Sequence, residues 1–347
     1  MPPIADIRYS SLALSLLKSC LINAGISCTI DYASMRFARL FGLYNHSQFQ
    51  AKRTIYFHYM PEVIFSEFAG IKPRKDIDEL IKIILGSPKT LPEHLKSYEA
   101  LKNFLDELRI AAKKKTIDET VEKILSFDSK IVGLTSSFKQ ECASLAIMKK
   151  VKEINPSVTT IIGGANCMGT AGTAALKKFK FIDYVFWGEA DDVFADICRH
   201  ILDGEKDFRL PYGLLRQGGE IPEKVPHRVI MNMNEVPSPE ADDFFEALKE
   251  NFTDDEIKKI SPIIMAEGSR GCWWGEKHSC TFCGLNGLVK TYRQKTPQRI
   301  ADELNYIVNR YGNHEIWFSD CILSRPAGKE LPEILSGRKE KCAYSRK

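Results

Sequence analysis

The stretch EGSRGCWWGEKHSCTFCGLNG, Glu267 to Gly287, decides how this 347-residue chain is read. It carries three of the ten cysteines, Cys272, Cys280 and Cys283, separated by seven and then two residues and bracketed by glycines. Glycine lets a backbone turn closely around a bulky group. Soft thiolates select zinc or an iron–sulfur cluster over magnesium or calcium. A structural zinc wants four ligands, whereas a cubane held by three cysteines leaves one iron open to a further molecule. The apolar run Ile260 to Met265 is expected to be a strand entering the loop, and Phe282 sets an aromatic between the last two cysteines. Two chemistries stay open on these residues. One is an iron–sulfur cluster; the other is zinc completed by His278 or a remote cysteine, because Cys-x2-Cys pairs are common in zinc sites.

The run GCWWGEKH-x-CTFCGLNG resembles the signature of radical S-adenosylmethionine (SAM) proteins of ribosomal-peptide maturation that carry a cobalamin-type domain in front. The resemblance implies an α/β fold, with a Rossmann-like cobalamin-binding-type domain followed by the start of a radical SAM (β/α) partial barrel. It implies that Cys272, Cys280 and Cys283 ligate a [4Fe–4S] cluster, that SAM chelates the fourth iron, and that Phe282 lies by the adenine. The implied activity is C-methylation of unactivated carbons in a ribosomal precursor peptide, begun by a 5′-deoxyadenosyl radical. Cobalamin would carry the methyl group, and a flavodoxin or ferredoxin would donate electrons. Crosslinking or epimerisation of a peptide is the alternative within the same class.

Composition bounds the rest. A chain with 44% hydrophobic residues can bury the cores of two ordinary domains. The formal charge of +4 is mild and the lysines are spread, so no nucleic-acid surface is expected. Met1 to Tyr9 lacks the basic-then-apolar pattern of a signal peptide. No apolar run approaches the roughly eighteen residues a membrane span needs. Scattered cysteines in a long chain point to reduced thiols in a cytoplasmic protein, not to a disulfide framework.

Three regions follow. Residues 1–202 are expected to form the cobalamin-type domain, with a helical insertion at about 44–128; residues 203–262 a linker; residues 263–347 the N-terminal part of the radical SAM core. Ser10 to Ala24 reads as a helix, Cys28 to Ile30 as a strand and Phe37 to Leu43 as another helix, which the resemblance makes the domain's first β–α–β step. In the insertion Tyr56, Phe57, Tyr59 and Phe65 read as packing residues, and His58 and His94 as bland. From Lys130 the chain alternates, with strands at Ile131–Leu134, Thr159–Ile162 and Asp183–Trp187. The turns after them, Ser136-Ser137, Gly163-Gly164 and Gly188-Glu189, fall on the edge where open parallel sheets bind ligands. They are the candidate cobalamin contacts. No histidine stands in an Asp-x-His-x-x-Gly pattern, so a bound corrinoid would lack that lower ligand. Asp242 and Asp243 read as caps for a helix at Phe244.

Beyond the loop, Thr296 is a candidate N-cap with Pro297 at the first helical position, and Gly312 a candidate stop. The strand Glu315–Phe318 ends at Ser319-Asp320, and the resemblance makes Asp320 a candidate for holding the SAM amino group. At roughly thirty residues per βα unit, a six-unit barrel needs on the order of two hundred residues. Only 64 follow Cys283, so the chain is expected to be C-terminally truncated. Two competing readings follow from that shortness and from the thiols: a non-catalytic remnant binding a leader peptide or a corrinoid, and a zinc-stabilised interaction module.

Overall fold

A computed structural model describes residues 5–43, 55–72, 77–86, 91, 93–205, 207–221, 227–278, 280–284, 289–312 and 315–337, with no side chain described at 55–59 or 325. The side chains of Tyr56, Phe57, His58 and Tyr59, and residues 338–347 of the tail, therefore lie outside the described residues.

The N-terminal segment belongs with the cysteine half of the chain. Ile263 N donates to Arg8 O, and Ser10 N donates back to Ile263 O, so residues 8–10 lie along the strand that leads into the cysteine loop. Helix α1 (Leu12–Asn23) follows, capped by Ser11 and closed by Gly25 at φ +74°. Cys28 to Ile30 is extended but is not a sheet strand: its Ile30 N–H is taken by the Asp243 carboxylate at 2.6 Å. Helix α2 (Ala33–Phe41) ends at Gly42. Ile7, Ile30, Tyr32 and Met35 then pack on Phe244, Leu248 and Ile260. This opening is thus no β–α–β step of the sheet domain; apolar burial ties it to the region read as a linker.

Helices α3 (Ile55–Ser66), α4 (Ile77–Leu85) and α5 (Tyr98–Ala112) lead through a π-helical turn, Lys113–Asp118, into α6 (Glu119–Ser126). They are not an appendage. Phe65, Ile81 and Leu105 share one core with Leu145 and Met148 of helix α7 (Glu141–Ile154), which covers the sheet. Each such side chain contributes on the order of 2 kcal/mol by leaving water. Phe65 is fully buried, as its reading as a packing residue requires.

The alternation from Lys130 builds the expected sheet. Strands β1 (Ile131–Thr135), β2 (Thr159–Gly163) and β3 (Tyr184–Phe186) are parallel, and β4 (Leu214–Arg216) adds antiparallel to β3. Helix α8 (Thr170–Lys178) links β2 to β3, and α9 (Phe194–Leu202) follows β3. Strand β4 was not foreseen: three residues between glycines carry too little pattern to register. The supposed linker also holds α10 (Asp242–Asn251) and α11 (Asp254–Ile260), the latter with a Thr253/Glu256 capping box. Asp242 and Asp243 do not cap α10, which starts at Asp242 itself. Asp243 is buried, 2.6 Å from Lys18 of α1, and Asp242 pairs with Arg310. Both carboxylates face cations on other elements, so they serve as ties.

The cysteine half is built on β5 (Ile263–Ala266), paired in parallel with β8 (Glu315–Phe318). Between them lie β6 (Ser269–Arg270), α12 (Trp273–Lys277), β7 (Arg293–Gln294) and α13 (Pro297–Tyr311). Thr296 caps α13 with Pro297 at its start, as the sequence indicates. The weakly patterned tail supplies α14 (Arg325–Ser336), which packs against α13. Among the described residues no helix is long and apolar enough to cross a membrane.

Candidate metal centre

Two parallel strands fix the mouth from which the cysteine loop emerges. Ser319 N donates to Ala266 O, extending the β5–β8 pairing to the strand ends. Asp320 then turns back, its Oδ1 accepting from Gly268 N at 2.8 Å and Ser269 N at 3.0 Å. A Cβ at Gly268 would stand 2.9 Å from Asp320 Oδ2 and Ile300 Cδ1, so a larger residue there would push those side-chain ends aside. Burial pushes the Asp320 carboxyl up, while the two N–H groups pull it down. Its Oδ2 is buried and has no hydrogen-bond partner.

The loop proper, residues 271–292, is closed at its neck by a ladder of two residue pairs, Ser269 opposite Gln294 and Arg270 opposite Arg293. Gly271 has φ +81°, and a Cβ on it would come 2.1 Å from Thr291 O. Only glycine permits that crossing. Cys272 N donates to Lys290 O, and its Sγ accepts from Gly275 N at 3.3 Å, which anchors this thiol at the inner limb. Glu276 accepts from Tyr292 N at 3.0 Å, tying α12 back to the returning strand. Trp273 and Trp274 meet edge to face, and Trp274 lies 4.9 Å from the His278 ring. These contacts shape the inner limb.

The outer limb is more open. Cys283 N donates to Cys280 O in a tight turn; Cys280 is half-buried, Cys283 is exposed and Phe282 is 89% exposed. Ser279 and the signature residues Leu285 to Gly287 lie outside the described residues. Among the described residues no group of three His, Cys, Asp or Glu side chains converges as metal ligands. The structure thus puts the three thiols on one loop without gathering them at one point. As donors they suit a soft metal or an iron–sulfur cluster.

At the three turns on the sheet edge, the candidate cobalamin contacts also make contacts within the protein. Ser136 is buried, its Oγ accepting from Asn166 Nδ2 and its carbonyl from Asn166 N. Ser137 Oγ accepts from Ala165 N. Gly163 lies against Phe186, and the Cβ position of Gly164 (φ +113°) is filled by Ser136 O at 2.6 Å. At Gly188 (φ +110°) the Arg228 backbone lies 2.5 Å from where a Cβ would sit. Glu189 is engaged by Arg293, by Arg270 and by Ile230 N. Backbone packing explains Gly164 and Gly188, Gly163 would bring a Cβ into ordinary contact only, and the Ser136 and Ser137 oxygens and the Glu189 carboxylate already accept hydrogen bonds. The edge exposes Phe138, at φ +48°, together with Gly164 and Ala165.

The sequence reading missed the charged groups beneath the loop. Arg270, Arg293, Glu267 and the fully buried Lys295–Glu303 pair all sit at or under the neck. Their one sequence signal was an alternation of charge with glycine around Gly271, which looks like any solvated turn.

A scan against protein-family models finds no match. Over 207 residues, 59% of this chain, the sequence is 26% identical to an uncharacterised methyltransferase of Pyrococcus horikoshii. Over 208 residues, 58% of this chain, it is 23% identical to the anaerobic magnesium-protoporphyrin IX monomethyl ester cyclase of Rubrivivax gelatinosus. Among solved structures, the radical SAM methyltransferase TsrM of Kitasatospora setae, with tryptophan and a SAM analogue bound, aligns with 63% of this chain at 17% identity and a TM-score of 0.44. The matches span 42%, 34% and 43% of these proteins respectively. This α/β chain is therefore similar, over part of its length, to methyltransferase and cyclase sequences, and it spans less than half of each relative.

Proposed function

We propose that this chain is the cluster-bearing part of a radical SAM enzyme of the methyltransferase type. The observation that carries the reading is the three-cysteine loop, clamped by a short ladder at the mouth of the parallel β5–β8 pair. Cys272, Cys280 and Cys283 would hold a [4Fe–4S] cluster, which when bound supplies the single electron that cleaves the carbon–sulfur bond of SAM. Asp320 offers the unpartnered Oδ2 at the strand end as acceptor for the SAM ammonium, while its Oδ1 keeps the Gly268–Ser269 backbone in place. Phe282, exposed on the outer limb, is the aromatic that would lie by the adenine.

The finer reading is methylation of unactivated carbons in a ribosomal precursor peptide, with a corrinoid and a flavodoxin- or ferredoxin-type donor. Its support is the resemblance of the loop sequence alone. The cysteine assignment is tested by metal content. Wild-type chain reconstituted anaerobically with iron and sulfide should retain about four irons, and Cys280→Ala should lose them. Retention of iron by Cys280→Ala, or binding of zinc alone, removes the reading in favour of a zinc-stabilised module.

A further inference from the structure

Two arginines stand directly opposite each other on the neck of the cysteine loop. Arg270 and Arg293 are ladder partners in a pair of strands only two residues long each. Like charges directly opposite on a two-stranded ladder destabilise it. Here both are deeply placed, with side chains 16% and 3% exposed, so solvent screens them little. An unneutralised neck of this kind would splay.

The carboxylate that faces both arginines comes from elsewhere in the fold. Glu189, in the turn after β3 of the four-stranded sheet, receives Arg293 Nη1 on both oxygens at 2.8 Å, and Arg270 Nη1 lies 3.3 Å from its Oε2. The same Oε2 accepts from Ile230 N at 2.8 Å, and Arg293 also donates to Ile230 O. Asp191, two residues on, takes Arg270 with two hydrogen bonds at 3.0 and 3.2 Å, and Glu267 takes it with two more. Burial alone would lower the Arg270 pKa; Glu267 and Asp191 more than reverse that and hold it charged. Gly188 brings the turn close enough, since its φ of +110° and bare Cα let it lie against Arg228.

We infer that Glu189 is a positioning residue for the cysteine loop: it bridges the two opposed arginines of the neck and so fixes the loop's base against the C-terminal edge of the parallel sheet. The loop's geometry is then set from the sheet domain, and the sheet edge and the loop mouth are held in one fixed relation. Buried charge networks of this kind specify an arrangement more than they add stability.

Hydrogen–deuterium exchange on the full chain tests this. Glu189→Gln keeps the side-chain size and an acceptor for Ile230 N, and removes the charge. Amides at 269–272 and 290–294 should then exchange about tenfold faster, as for loss of a local closing interaction, while β1 and β2 stay as in wild type. The double variant Glu189→Gln/Arg293→Gln, which removes the opposition of charges, should recover most of that protection. A purely structural role would instead loosen β1 and β2 equally and gain nothing from the second substitution. That result, or unchanged exchange at the neck in Glu189→Gln, overturns the inference. Iron content measured on the same samples should fall with neck protection. Absence of iron from wild type would sink the cluster reading while the exchange comparison still decides the role of Glu189.

Discussion

Removing Glu303 should destabilise the cysteine half more than any surface change. Lys295 is wholly buried and Glu303 is 2% exposed, with Nζ and Oε2 2.7 Å apart; Arg299 adds a second cation at 3.3 Å. Burial raises the Glu303 carboxyl, and Lys295 opposes that rise. Glu303→Ala leaves the Lys295 ammonium without its partner in a place water does not reach. Breaking a buried pair from one side costs about 3–5 kcal/mol. With a urea dependence of about 1–3 kcal/mol per molar, the denaturation midpoint should fall by at least about 1 M. Lys295→Met/Glu303→Leu removes both charges, and Arg299, one-fifth exposed, can turn to solvent. That variant should lie within about 1 kcal/mol of wild type or above it. The assay is urea unfolding followed by tryptophan fluorescence, to which Trp273, Trp274 and Trp317 of the cysteine half contribute together with Trp187. Because Lys295 N donates to Gly268 O, the loss should also reach the neck. A cost below about 1 kcal/mol for Glu303→Ala, or a double variant weaker than the single, would refute the reasoning.

Gly271→Ala should break the loop crossing, since its Cβ would meet Thr291 O at 2.1 Å; limited proteolysis should cut within 271–292, whereas Gly284→Ala, whose Cβ would meet nothing within 4 Å among the described residues, should behave as wild type. Asp320→Asn keeps an acceptor for Gly268 N and Ser269 N and removes the ionisation. The folded carboxyl sits above its usual 3.8, so wild type should lose stability as pH rises through that raised value, and the variant should not; equilibrium unfolding across pH 3–7 checks this. The same variant should weaken SAM binding in a filter or calorimetric titration. Asp31 has the opposite sign: burial raises its carboxyl but the Arg36 fork, at 2.7 and 2.6 Å, carries it below 3.8. Its contribution is present above about pH 4 and lost as pH falls through the folded value. Asp31→Asn should therefore be less stable than wild type at pH 7 and equal to it in strong acid.

What the sequence made legible was local. The alternation at 131–187 has buried strands with turn residues between them, and β1 to β3 follow it within a residue or two. Thr296-Pro297 is a capping pair whose geometry depends on no distant contact, and α13 starts there. What stayed hidden depended on partners far along the chain. Ile30 looks like a strand residue until Asp243, 213 positions away, takes its N–H. Asp242 and Asp243 look like caps until Arg310 and Lys18 claim them. Gly188 and Gly164 look like ligand-facing glycines until the Arg228 backbone and Ser136 O fill the space a Cβ would need. The loop's donor chemistry was readable from Cys272, Cys280 and Cys283 alone, but the arginine neck that holds it was not, because Glu189, the carboxylate that takes Arg293, lies 104 positions away.

The most direct test of the central claim is electron paramagnetic resonance of anaerobically reconstituted, dithionite-reduced chain with and without SAM. Wild type is expected to give a reduced [4Fe–4S] signal that shifts when SAM is added, and Cys272→Ala, Cys280→Ala and Cys283→Ala are each expected to abolish it. A soluble wild-type chain that binds zinc without iron, or an iron signal indifferent to SAM and to all three substitutions, would contradict the account.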